Sequence, residues 1–372
     1  SENDKAIEYH TRSLELAQQL GDRLLLAQNL NNLGNVYDMV GEYDKAIEFF
    51  TRSLELKQQL DDRLGQVISL SNIGGLYHEL GEYGKAVEYQ TRSLELAQQI
   101  GDHGGQARSL HNLGRMYRAL GEYDKVIEYS TRSLELAQQL GDRLGQAYNL
   151  DILGLVYHTL GEYDKAMDYH TRSLELGQQI GSGEVYALSL GNLGSVYHAL
   201  GEYDKAIEYL TRSLELAQQI GDSRVQATSL GNLGLVFHTL GEYDKAIEYN
   251  ARSLELVRKL GDRPAQADSL RNLGSVYQAL GDGDTAAGSR AGNNVGDVCI
   301  ALKRYRAALS YYLKALSIYE RLGNPHNIAD IRRRISEVRA CVGKQDWPAL
   351  EAEAQREAAD PDWQPPQLEA EG

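Results

Sequence analysis

Cysteine is nearly missing from this chain: Cys299 and Cys341 are the only two, and their spacing matches neither a disulfide framework nor a metal motif. A reducing compartment fits that scarcity. Basic charge is short as well, with 38 Lys and Arg against 53 Asp and Glu, a formal net charge of −15. The two signs are interspersed, so there is no basic footprint for nucleic acid or for an anionic membrane surface, and neither partner is expected. No apolar run approaches the roughly 20 residues that span a bilayer. Membrane insertion is therefore not expected, and the location read from the sequence is cytoplasmic.

Catalytic motifs are missing too. Gly84-Lys85 lacks the upstream Gly and the following Ser or Thr of a phosphate loop. There is no HExxH pair and no nucleophile elbow. The glycine-rich stretch 281–288 lacks GxGxxG spacing, and Asp282-x-Asp284 does not continue as a calcium loop. The expectation is no enzyme, no cofactor and no metal.

What the chain does have is repetition. The phrase GEYDKAIEYxTRSLELAQQL recurs at a 40-residue step, so that Gly41, Gly81, Gly121, Gly161, Gly201 and Gly241 are one residue seen six times. A second phrase, near AxSLxNLGxVYxxL, fills the other half of each step, as in 187–200 and 227–240. A period of this size marks a solenoid whose units bury their apolar faces on their neighbours.

Each half-step carries a helical stripe. Ala27, Leu30, Leu33, Gly34, Tyr37 and Val40 follow a 3-4 spacing, as do Ala46, Phe49, Ser53, Leu56 and Leu60. Gly41 stands where a left-handed cap belongs, and Asp61 takes the place that Gly21, Gly101 and Gly141 hold elsewhere. Asp44 and Asp62 are the expected N-caps. Glu48 and Arg52 make a favourable i,i+4 pair, and the small Gly34, Ala46 and Ser53 permit close approach of two antiparallel helices.

Leu33-Gly34-x-x-Tyr37 followed by Gly41-x-Tyr43-x-x-Ala46 resembles the tetratricopeptide repeat (TPR), with Gly-Asp in place of the usual Pro and 40 residues in place of the commoner 34. The longer phrases are similar to the arrays of Pins-type spindle-orientation adaptors and of kinesin light chains. The likeness runs from residue 2 to about 345. It implies an all-α TPR alpha-solenoid, a right-handed superhelix of antiparallel helix pairs whose first helices line a concave groove for partner proteins.

The expected organisation is a regular array over 1–280: a half repeat, six full repeats and a lone first helix. After Leu280 the frame slips by 18 residues, as though one helix were lost, because Asn293-Asn294-Val295-Gly296 matches Asn31-Asn32-Leu33-Gly34. Diverged repeats are expected over 281–345, with an antiparallel hairpin at Gly281–Asp284. Its second arm is poorly equipped for packing, with Ser289, Gly292, Val295 and Cys299 where other copies carry larger apolar residues, and Gly288 lowers helix propensity further. A short capping helix follows over 346–359, then an acidic tail over 360–372 with Pro361, Pro365 and Pro366, expected to be disordered. Ser1-Glu2-Asn3-Asp4-Lys5 stands where other copies read Gly-Glu-Tyr-Asp-Lys, so the chain opens mid-repeat without an initiator Met, as a fragment would.

The copies differ mainly along one arc of the first helices, beside the core stripe. The second helices vary less, chiefly at the position of His10. Two readings of the arc stand: relaxed surface drift, or variation matched to a ligand. In the third repeat Arg108, His111, Arg115 and Arg118 form an i, i+3, i+7, i+10 stripe suited to an acidic or phosphorylated residue, since guanidinium grips such oxygens in pairs. The alternative is that these arginines pair with Glu79, Glu122 or other nearby acids. Beside them runs a ladder of Asn32, Asn72, Asn112, Asn192, Asn232 and Asn272, broken at Ile152. An amide can bridge to the main chain of an extended peptide, and the resemblance implies that role; bonding within the solenoid is the other. His78, His158, His198 and His238 share one position. Adjacent first helices lie about 8–10 Å apart, too far for easy shared metal ligation. The function expected is a non-catalytic scaffold that binds an extended or helical segment of a partner protein. A second expectation is a sensor or autoinhibitory arm of a larger signalling NTPase or protease.

Overall fold

The computed structural model describes residues 2–291, 295–323, 325–342 and 346–360, with side chains over 3–280 and from 304 onward. These residues form α-helices and no strand, in two compact units, Ser1–Gly181 and Ser182–Gly372. The first unit holds α1 (Glu2–Leu20), α2 (Arg23–Met39), α3 (Tyr43–Gln59), α4 (Arg63–Glu79), α5 (Tyr83–Ile100), α6 (His103–Leu120), α7 (Tyr123–Leu140), α8 (Arg143–Thr159) and α9 (Tyr163–Ile180). The second holds α10 (Gly183–Ala199), α11 (Tyr203–Ile220), α12 (Ser223–Thr239), α13 (Tyr243–Leu260), α14 (Arg263–Ala291), α15 (Val295–Leu322), α16 (Pro325–Val342) and α17 (Trp347–Ala359).

The repeat sets the helix ends chemically. Asp62, Asp102 and Asp142 each accept the backbone N–H three residues on, at 2.9 Å, which satisfies a donor the helix leaves orphaned. Asp44 does not cap: α3 starts at Tyr43, so Asp44 lies inside its first turn, and Glu42 at the cap position pairs with Lys45 instead. The second-helix ends turn through left-handed glycines such as Gly101, at φ +71°, and Asp61 adopts the same region at φ 52°.

Within each pair the helices are held by one recurrent bond. The Ser53 hydroxyl donates to the Ala27 carbonyl at 2.8 Å, and Ser93, Ser133, Ser173, Ser213 and Ser253 repeat it. Tyr37 stacks on Phe49 at 5.2 Å with Lys45 and Arg52 over the two rings, and the same four-group contact recurs in the other regular pairs, with the rings tilted at 45° rather than stacked in Tyr197–Tyr209. The glycine of the LG motif takes a side chain from its partner helix. A Cβ on Gly34 would fall 2.7 Å from the Phe50 ring, and Gly154 faces His170 and Gly194 faces Leu210 in the same way. The variable position of the second helices, that of His10, is this knob. Phe50, Gln90, Ser130, His170, Leu210 and Asn250 are all buried.

Consecutive first helices touch one another (α4 with α6, α6 with α8, α10 with α12, α12 with α14), whereas the second helices of the regular pairs (α3, α5 and α7; α11 and α13) make no comparable contact among the described residues. Each unit therefore curves with its first helices on the inside. The expected hairpin at Gly281–Asp284 is not where the helix ends. α14 runs on to Ala291 through Ala286, Ala287 and Arg290, good helix formers with no proline among them. The breaker cluster Gly292-Asn293-Asn294 lies outside the described residues, as do the side chains of Ser289, Val295 and Cys299. α15 packs on α14 as a single helix, and Tyr312 supplies the knob against Gly274. α17 packs on α15. Trp347, its first residue, is buried, and Arg306 of α15 pairs with Glu353 at 2.6 Å and with Glu357 at 3.1 Å. The tail 361–372, expected to be disordered, lies outside the described residues.

Candidate functional site

The inner face of α6 gathers the five candidate residues of the third repeat. Arg108 and Arg118 are exposed there, and His111, Asn112 and Arg115 are half-buried. Three of the five are stitched to neighbouring first helices. Arg115 pairs with Glu79 of α4 at 3.9 Å, Asn112 donates to the Ser71 hydroxyl of α4 at 3.4 Å, and His111 Nδ1 meets Asn149 Oδ1 of α8 at 3.2 Å. Asn149 in turn donates to the Gly145 carbonyl, so its Oδ1 is the acceptor and His111 Nδ1 the donor. The arginines of the stripe divide. Arg115 has an acid, while neither Arg108 nor Arg118 has an acidic partner among the described residues.

The electrostatics of this face follow from its concavity. Enclosure between helices, followed by the Arg115 charge, holds the Arg118 guanidinium below its ordinary value, opposed by the hydroxyls of Tyr123 and Tyr83. Solvent reaches Arg118, but the helix walls take the place of much of the surrounding water. Burial also lowers the His111 pKa from 6.5; the Asn149 bond opposes this and Arg115 adds to it. His111 is neutral at pH 7 on that account, with Nε2 as its acceptor nitrogen. Towards α2 the sign changes: burial, then Glu79, pushes the Asp38 carboxyl up.

Beside Arg108 opens a pocket of about 320 Å³ between α6, α7 and α8. Ser133 and Ala137, both fully buried, form its floor. Ala107, Leu144 and Tyr148 wall it, and Gly104 and Gly145 add no side chain. The sequence reading missed Tyr148, Asn149 and the pocket itself. The signal available was Gly104-Gly105, where other copies carry a Leu at the first of these positions in Leu24, Leu64 and Leu144.

The rest of the ladder divides. Asn32 is exposed, Asn72 and Asn272 are half-buried, and Asn192 is buried. Asn232 donates to the Ser195 hydroxyl at 2.9 Å, the solenoid role. The histidines make ring contacts, and His198 Nε2 also meets the Thr239 hydroxyl of α12 at 3.0 Å. His78, His158, His198 and His238 each lie against the Tyr that opens the next helix, with ring centroids 5.6–5.9 Å apart. Among the described residues no three metal-ligating side chains converge, and no helix is long and apolar enough to cross a membrane.

A further buried group was not foreseen. His170 Nδ1 meets Asp151 Oδ1 at 3.0 Å, and the Ser173 hydroxyl, whose one proton is shared between the Ala147 carbonyl and Asp151 Oδ2, lies 3.0 Å from each, all three side chains being almost wholly inaccessible. The group is closed to any substrate, because Gly154 presses on the imidazole and leaves no room beside it.

In comparison with known proteins, models of the tetratricopeptide repeat match residues 1–59, 66–139, 123–179, 143–219, 184–259 and 225–288, and again 290–322. No curated protein matches the chain in sequence. Among solved structures it is similar to BtubC (BKLC) from P. vanneervenii, with a TM-score of 0.53 and 23% identity over 60% of this chain and 93% of that one. The Rap conjugation gene regulator of the plasmid pLS20, solved in complex with the Phr* peptide, gives 0.56 and 16% over 83% and 80%. A signal transduction ATPase with numerous domains and a tetratricopeptide repeat sensor, from Pyrococcus horikoshii, gives 0.51 and 15% over 95% of this chain and 55% of that one. At such identities the likeness is one of fold.

Proposed function

The chain belongs to the tetratricopeptide repeat family, and from that premise we propose that it is a non-catalytic scaffold whose inner, first-helix face takes an extended or helical segment of a partner protein. The observation that carries this is the inner face of α6, where Arg108 and Arg118 stand without an acidic partner among the described residues, in a chain of net charge −15. An unpaired guanidinium on an enclosed face is available to a carboxylate or phosphate, and the low local dielectric strengthens that contact. The partner segment is accordingly acidic or phosphorylated where it crosses α6, and the Asn72 and Asn272 amides supply main-chain contacts elsewhere. The Rap regulator solved with the Phr* peptide supports a peptide ligand for such a fold. In this reading the protein is a cytoplasmic signalling adaptor of the Pins and kinesin-light-chain kind.

The test is charge reversal. Arg115→Glu with Arg118→Glu should weaken an identified partner by at least about tenfold, near 1.4 kcal/mol, at low salt. The melting temperature should stay nearly constant, because neither side chain supports the core. Unchanged affinity refutes the proposal.

A second reading, a sensor arm of a larger signalling NTPase or protease, is supported by the likeness to the repeat sensor of the ATPase. Nucleotide hydrolysis by the natural full-length gene product, altered by the same two substitutions, distinguishes it from the adaptor.

A further inference from the structure

The pocket beside Arg108 exists because one packing seam lacks the residue that fills the others. Where a second helix is wedged between two first helices, three positions compete to fill the space. Between α2, α3 and α4 it is Lys57, whose ammonium reaches the Ser69 hydroxyl at 3.0 Å. Between α4, α5 and α6 it is Val67, whose Cγ1 lies 3.0 Å from where a Gly105 Cβ would sit. Between α10, α11 and α12 it is Val225, packed on Ala187 and Ala217. Between α12, α13 and α14 it is Val257, in the cluster with Ala227 and Ala267. At the seam of α6, α7 and α8 the same three positions are Ala107, Ala137 and Gly145, so none fills it. Close-packed interiors rarely leave such space, and about 320 Å³ is at the lower end of ligand pockets, roughly 300–1,000 Å³.

We infer that this pocket is a ligand site for a carboxylate carried on an apolar body the size of one aromatic or branched aliphatic side chain, the body seated on Ala107, Ala137 and Leu144 and the carboxylate held by Arg108. The inference rests on the proposed groove reading only in placing the ligand on the inner face of α6. The one carboxylate lining the pocket, Asp142, is engaged by the Gly145 N–H at its own helix N-terminus and leaves Arg108 unpaired. His111 lines the same pocket, with its Nδ1 held by Asn149. Two sources can supply this chemistry: an acidic and apolar segment of a partner protein, or a free organic acid.

Calorimetric titration of the whole chain with 3-phenylpropionate, with 3-phenylpropanamide and with the blocked peptide acetyl-Glu-Phe-Glu-amide tests it. The acid should bind about tenfold more tightly than its amide. Arg108→Gln should bring the acid down to the amide. Gly104→Leu with Ala107→Val should abolish both, since these put in the side chains that Leu64 and Val67 supply one repeat earlier. The filled variant should also melt higher than the parent, which shows that lost binding is not lost folding. A peptide that binds more tightly than the acid assigns the pocket to a protein segment; an acid that binds where the peptide does not assigns it to a free metabolite. Equal binding of acid and amide, or undiminished binding to the filled variant, overturns the inference. If 3-phenylpropionate fails to bind while charge reversal at Arg115 and Arg118 still weakens the partner, the pocket falls and the groove stands. The opposite pair of results leaves the pocket and removes the groove.

Discussion

Gly114→Ala and Gly194→Ala are the same substitution at the same register position, and they should move stability in opposite directions. Each replaces a mid-helix glycine, which favours the helix by about 1 kcal/mol. Each also pushes a methyl towards the knob of the partner helix. At Gly114 the obstacle is the Ser130 hydroxyl oxygen at 2.6 Å, with no other atom closer than 3.8 Å. One rotation of the serine side chain clears it, and this hydroxyl makes no hydrogen bond among the described residues. The propensity gain survives, and Gly114→Ala stabilises by up to about 1 kcal/mol. At Gly194 the obstacles are the Leu210 branch carbon at 2.6 Å and its backbone nitrogen at 3.2 Å. Neither moves without displacing α11, and overpacking of this kind costs about 1–3 kcal/mol. The net effect is destabilisation by about 1–2 kcal/mol. A repeat array does not unfold as one unit, so a single melting temperature blurs both effects. Native-state hydrogen exchange read on α6 with α7, and separately on α10 with α11, resolves them. Adding Leu210→Ala to Gly194→Ala should show a favourable coupling of about 1–2 kcal/mol. If both glycine variants shift their own pairs in the same direction, the knob does not set the cost and the packing scheme is wrong.

Two other buried polar groups make related predictions. Asp151→Ala strands His170 Nδ1 and should cost about 3 kcal/mol. Asp151→Gly with His170→Leu, the combination that Gly191 and Leu210 already use one repeat on, should recover most of it in the same exchange experiment. Lys57 is buried and its pKa is lowered from 10.5 by desolvation, with Asp62 opposing. A lowered folded-state lysine pKa means that the unfolded chain holds more protons, so the parent should gain stability as pH rises from the folded pKa to 10.5. Lys57→Met with Ser69→Ala should remove that rise and add about 1–2 kcal/mol at pH 7, followed by urea denaturation.

The helix pairs were legible in the sequence because the repeat shows each stripe many times and because glycine and aspartate mark the ends at fixed offsets. Asp62 caps as its spacing predicts, while Asp44 does not, since Tyr43 already lies within the helix and sequence spacing alone does not separate the cap from the first turn. The length of α14 was not legible. Gly281 and Gly283 resemble a cap, but Ala286, Ala287 and Arg290 beyond them sustain the helix to Ala291. The α6 stripe was visible as arginines at helical spacing. Its pocket was not, because an unfilled seam is a relation among Ala107, Ala137 and Gly145 on three different helices. The same holds for Asp151 and His170, 19 positions apart, whose pairing depends on which face each helix turns inward.

The most direct measurement of the central claim is residue-level hydrogen exchange of the chain with and without an identified partner. Binding on the inner face predicts slowed exchange in α4, α6 and α8, strongest in α6 around Arg108–Arg118, with α5 and α7 changed far less. Protection confined to the second helices or to the interhelical turns, with α6 unchanged, would contradict it.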